Sequence, residues 1–94
     1  MDADTAVRPS IIIEILSQST RDYDRGKKFK LYRGIPSLRE YVMIDSESVG
    51  IEVYRINKPG KWELEEYKSI EDLLIISIVD VHVSLKEIYE GTSL

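Results

Sequence analysis

A glutamate and a lysine stand in this sequence where aliphatic residues are expected. Glu14 interrupts the run Ile11-Ile12-Ile13-Glu14-Ile15-Leu16. The run is rich in β-branched residues and too short to span a bilayer, so it reads as a strand covered on both faces. An acid kept in such a strand needs a proton, a cation or a metal as partner. Further along, Asp24, Lys28, Leu31, Tyr32 and Ile35 fall in one narrow arc of a helix that advances about 100° per residue, with Lys28 at its centre. The best apolar stripe of that helix therefore carries an amine.

A carboxylate and an amine that converge can serve hydrolysis at a divalent ion. The carboxylate helps to hold Mg²⁺, and the ion lowers the pKa of bound water and neutralises charge on a phosphate. The lysine orients the attacking water or stabilises the transition state. Mg²⁺ beside a phosphodiester usually takes more than one protein carboxylate, so Glu14 alone is too little. The same residues also have plain structural uses. Lys28 can pair with Asp24 at i, i+4, lay its stem along the core with the ammonium wet, or bridge Glu14 without any chemistry.

These side chains depend on the elements that aim them. Alternation puts Ser10, Ile12, Glu14 and Leu16 on one face of the first strand. A polar turn at 17–20 offers N-caps, and a helix is predicted over 22–33, ended by Gly34 and Pro36 and weakened by Gly26. Folded back onto the sheet, it would bring Lys28 to Glu14. A second strand is predicted at 40–45 and a turn at 46–50. A hairpin over 51–56 and 61–68 follows, with Pro59 and Gly60 at the central positions of a type II turn. Ile51, Val53, Trp62 and Leu64 are assigned to one apolar face. Residues 72–83 read as strand, turn, strand, and Ser84 with Glu87 forms a capping box opening a short helix through Tyr89. The expected fold class is α+β: a small mixed or antiparallel sheet of about five or six strands with one main helix packed on it. Residues 1–8 read as a lead-in and 9–94 as the domain.

Ninety-four residues, 43% hydrophobic and 32% charged, suit one small soluble domain. With no cysteine there is no disulfide framework or thiolate metal site, which fits a reducing cytoplasm. No apolar stretch approaches the roughly 20 residues of a membrane helix, and Met1-Asp2-Ala3-Asp4 is unlike a secretory signal. The net charge of −4 argues against a general nucleic-acid coat protein. Even so, seven of the 13 cations (Arg21, Arg25, Lys27, Lys28, Lys30, Arg33 and Arg39) lie between positions 21 and 40. Such a segment can touch phosphate locally, or simply be a solvated helix face. His82 has no acid or cysteine at ligand spacing and reads as surface strand. Ser17, Ser19 and Thr20 read as caps, and Tyr32 and Tyr41 as core or rim.

The segment from Arg8-Pro9-Ser10 through Glu14-Ile15-Leu16-Ser17-Gln18-Ser19-Thr20-Arg21 resembles a known signature. So do Asp24-Arg25, Lys28, Tyr32, Gly34-Ile35-Pro36, Glu40-Tyr41-Val42-Met43-Ile44-Asp45 and Leu85-Lys86-Glu87-Ile88-Tyr89. Together they resemble the bacterial putative restriction endonuclease family of the PD-(D/E)XK nuclease superfamily. The resemblance implies a restriction endonuclease-like fold and Mg²⁺-dependent cleavage of DNA. It makes Glu14 the metal-binding acid of the (D/E)XK half-motif. The lysine expected two residues later is replaced by Leu16 and implied to have moved to Lys28. Arg21, Arg25, Lys27, Lys30 and Arg33 would approach phosphate. Ser10 stands where the family often has Asp, and Gln18 replaces the usual proline. Family domains are about twice this length, and their first half supplies the metal-binding Asp. The chain thus resembles a C-terminal half-domain, expected to be inactive alone. Three functions follow as expectations: a metal-dependent endonuclease, an assembly module that dimerises or recruits a complementary half-domain, or a DNA-binding remnant.

Overall fold

The structure, a computed structural model, describes residues 9–19 and 24–94. The opening β-branched run forms β1 (Ile11–Leu16), but at the rim of a sheet and not at its centre. β1 pairs in parallel with β2 (Glu40–Asp45). β2 pairs antiparallel with β3 (Ile51–Ile56), and β3 antiparallel with β4 (Trp62–Tyr67). A parallel pair needs a crossover, and here it carries a π-helical turn, Asp24–Lys28, that runs into α1 (Phe29–Tyr32). β5 (Leu73–Ile76) and β6 (Val81–Ser84) make a second, antiparallel sheet, joined through the 3₁₀ turn Ser77–Val79. A last helix, α2 (Leu85–Ile88), follows. The predicted capping box opens it: Ser84 Oγ accepts the Glu87 N–H at 3.2 Å and lies 3.3 Å from the Glu87 carboxylate. Among the described residues the fold is α+β, with six strands in two sheets and one main helix, as the element order predicts.

Strand alternation divides the core between the two faces of the larger sheet. One face carries Leu16, Tyr41 and Met43, covered by Phe29 of α1, with Ile12, Tyr32, Tyr54 and Trp62 around them. The other carries Val42, Ile51 and Val53, covered by Leu74, Ile76, Leu85 and Tyr89. Glu14 lies on the helix-covered face, in register with Met43.

Several local expectations are corrected. β1 is not covered on both faces: Ile13 is 53% and Ile15 61% exposed, because the second sheet lies over β2 and β3 and stops short of the rim. The hairpin does not place Trp62 and Leu64 beside Ile51 and Val53. Its register sets Ile51 opposite Tyr67 and Val53 opposite Glu65, while Leu64 and Trp62 face Tyr54 and Ile56 on the other side. The turn closes one residue early, with the Gly60 N–H on Asn57 O at 2.9 Å and Gly60 itself left-handed at φ 87°. That shift sets the opposite face for every following side chain. In the helix, Leu31 is 68% exposed and Phe29 is the buried anchor. A wheel drawn for a pure α-helix loses phase across a π turn, whose hydrogen bonds span i to i+5.

Candidate functional site

The start and end of β1 are tied down by backbone. Ser10 O accepts from the Arg39 and Glu40 N–H groups at 2.8 and 3.2 Å. Leu16 O accepts from the Ser46 hydroxyl at 2.7 Å. α1 is fixed over the sheet by Phe29, which stacks on Tyr54 at 4.0 Å between centroids and meets Trp62 edge-on at 5.5 Å. Aromatic pairs of this kind contribute about 0.5–1.5 kcal/mol each beyond their buried area. With Phe29 pinned, Lys28 and Tyr32, one turn apart, both face Glu14.

Lys28 Nζ stands 3.4 Å from Glu14 Oε1, and the Tyr32 hydroxyl donates to the same oxygen at 2.7 Å. Both charged side chains are partly open, Lys28 at 29% and Glu14 at 23% exposure. The acid and the amine read from the sequence therefore do meet. Tyr32, placed at the core or rim by sequence, turns out to be a direct partner of the acid. The signal was its i+4 spacing from Lys28.

The other candidates are scattered. Lys27, Lys30 and Arg33 are exposed, and Arg33 lies over the Phe29 ring at 5.8 Å. Arg21 and the side chain of Arg25 lie outside the described residues. His82 is 49% exposed, and its Nε2 is 3.0 Å from Asp80 Oδ1, an acid two residues away that the reading of its surroundings passed over.

Across the sheet from Glu14, the residues in register are Met43, Glu52 and Glu66. The nearest in-row acid is therefore two strands away, about 10 Å at ordinary strand spacing. A cavity of about 220 Å³ opens there, lined by Leu16, Met43, Asp45, Glu52, Glu66 and Lys68 among others. Asp45 turns to the loop, where its Oδ1 accepts the Glu47 and Ser48 N–H groups. Glu66 pairs with Lys68 at 3.0 Å. Among the described residues no cluster of three or more His, Cys, Asp or Glu could hold a metal. Glu14 thus offers one carboxylate to a divalent ion and not a complete shell among the described residues.

The matching family model spans residues 2–86 and is described as Uma2, a putative restriction endonuclease. The chain belongs to the Uma2 family. Among its relatives is the uncharacterized protein slr1290 of Synechocystis sp., 37% identical over 83 residues, which covers 88% of this chain and 43% of that protein. A second Synechocystis protein, the uncharacterized sll1609, is 41% identical over 58 residues, 62% of this chain and 33% of that protein. In fold, the chain matches the crystal structure of a putative nuclease belonging to DUF820 from Anabaena variabilis. The TM-score is 0.71 at 21% identity, over 89% of this chain and 45% of that one. The chain spans less than half the length of these proteins. No helix among the described residues is long and apolar enough to cross a membrane.

Proposed function

We propose that this chain carries part of the active site of a divalent-metal-dependent DNA endonuclease. The observation that carries the reading is the meeting of Glu14 and Lys28 at 3.4 Å across β1 and the helical segment. Membership of a family described as putative restriction endonuclease supports DNA as the substrate. Glu14 would contribute one carboxylate oxygen to Mg²⁺, which supplies charge neutralisation and an acidified water when bound. A further acid would come from outside the described residues. Lys28, 3.4 Å from the same carboxylate, would act on a phosphate oxygen or an incoming water beside it. Lys27, Lys30 and Arg33 would guide the phosphate backbone.

Plasmid nicking in Mg²⁺ and Mn²⁺ tests this. Nicking, expected once a complementary half-domain completes the site, is expected to fall at least about 100-fold in Glu14→Gln and Lys28→Met. Equal nicking by the glutamine variant would remove Glu14 from the reaction.

A second reading is an assembly module, in which the chain dimerises or joins a complementary half-domain. Its motive is the rim of β1: among the described residues one edge of the strand is unpaired, and Ile13 and Ile15 are exposed beside it. Such an edge invites another strand. The expected result is a concentration-dependent rise in mass by sedimentation, abolished by Ile15→Lys. A strict monomer at high concentration, together with nicking activity, would leave the endonuclease reading alone.

A further inference from the structure

Among the described residues two donors reach Glu14, and both meet the same oxygen. The Tyr32 hydroxyl is at 2.7 Å from Oε1, a short charge-assisted hydrogen bond. Lys28 Nζ is at 3.4 Å from that oxygen, at the outer limit of hydrogen-bond geometry. The phenol is therefore the shorter and stronger tether of Oε1. The Tyr32 ring is itself held, edge-on at 5.2 Å and 80° to Tyr41, whose side chain is fully buried in the sheet. A rigid chain of contacts thus runs from the core through Tyr41 and Tyr32 to one oxygen of Glu14.

We infer that Tyr32 is a positioning residue: it pins Oε1 of Glu14 so that Oε2 is presented to a cation. This rests on the endonuclease reading of Glu14, but its first consequence needs no metal. A carboxylate on a mid-length side chain has several rotamers open to it at partial exposure. Removing the phenol oxygen, while keeping the ring against Tyr41, should release them.

Tyr32→Phe in the full chain is the test. In the metal-free protein, side-chain couplings and carboxyl ¹³C shifts of Glu14 by NMR are expected to report one rotamer in the wild type and averaging in the variant. Tyr89→Phe, on the opposite face of the sheet, serves as a destabilised control and is expected to keep the single rotamer. An unchanged Glu14 in Tyr32→Phe would overturn the inference. So would equal averaging in the Tyr89→Phe control, which would mean general loosening. A Mn²⁺ titration then connects position to binding, with affinity expected to drop about tenfold in Tyr32→Phe, as for other partners of metal ligands. Mn²⁺ affinity equal to wild type would overturn the positioning role toward a cation. If Glu14→Gln binds Mn²⁺ as well as wild type, the endonuclease reading fails instead, and the rotamer measurement still decides what Tyr32 does.

Discussion

Tyr89 shows how much one hydroxyl can organise in a chain this small. Its oxygen lies 2.7 Å from Asp45 O and 3.0 Å from Gly50 O, and it accepts the Gly50 N–H at 3.1 Å. It thereby ties the end of α2 to the turn between β2 and β3. Burial pushes its pKa above the usual tyrosine value, the Gly50 hydrogen bond pulls it back, and the negative charge of Asp45 adds to the rise. A group whose pKa is raised by folding stabilises the native state fully below its unfolded value, here 10.0, and loses that contribution as pH climbs through the folded value. Tyr89→Phe is expected to cost about 1–2 kcal/mol near neutral pH, since it strands backbone groups without their partner. It is also expected to lessen the loss of stability above pH 10. Tyr67, raised by its own burial and by its hydrogen bond to Glu65, retains the remainder of that loss. Urea denaturation at both pH values checks this, and an identical alkaline slope in the variant would contradict it. The tyrosine ends were the part of the site least legible in sequence. An aromatic ring announces burial, but nothing in the spacing says where its hydroxyl goes. Glu14 and Lys28 were legible because each breaks an apolar pattern.

At the scale of elements, composition and punctuation told type well and phase poorly. β1 was readable from its isoleucines, β2 from the apolar run around Tyr41, and α2 from Ser84 and Glu87. What failed was phase. The hairpin turn closes at Gly60 on Asn57, and that single residue moves Trp62 and Leu64 to the helix side of the sheet. There Trp62 joins Tyr54 and Phe29 and becomes part of the support for α1, while Leu64 stays largely exposed. In the helix, Leu31 points outward and Phe29 inward, while Lys28 and Tyr32 both face Glu14. The site therefore survived a wrong helical stripe, because Lys28 and Tyr32, at i and i+4, stay on one side of the helix whichever of their neighbours is buried. The exposure of Ile13 and Ile15 was unreadable for a different reason. Their residue types match burial, and only the extent of the second sheet decides that they are left at the rim.

At the scale of the molecule, the two sheets must stay docked for the site to keep its floor, and one polar network bridges them. Arg55 on β3 is 16% exposed and binds Glu40 of β2, only 3% exposed, at 3.0 Å. It also meets Glu65 at 2.7 Å and the Tyr67 hydroxyl at 3.2 Å, and donates to Ile75 O of the second sheet. Glu40 completes the bridge by accepting the Ile78 N–H at 2.9 Å. Burial works against the Arg55 charge, but the hydrogen bonds to Tyr67, Glu65 and Glu40 outweigh it and hold the guanidinium above its ordinary pKa. The Tyr67 hydrogen bond, with help from Arg55 against the effect of burial, keeps the Glu65 carboxyl below the usual range. Nothing in the sequence marks this cluster, because its members come from four strands and each alone looks like a surface residue. Arg55→Met would leave Glu40 buried with its charge unmatched, a loss expected at about 3–5 kcal/mol. If the buried charge is the cause, adding Glu40→Gln should recover part of that loss, since the amide oxygen can still accept the Ile78 N–H while the charge is gone. Urea denaturation of the two variants makes the comparison, and amide exchange at Ile75 and Ile78 reports whether the second sheet loosens first. A double variant no more stable than Arg55→Met would show that lost packing of the arginine stem, and not the stranded carboxylate, sets the cost of parting the sheets.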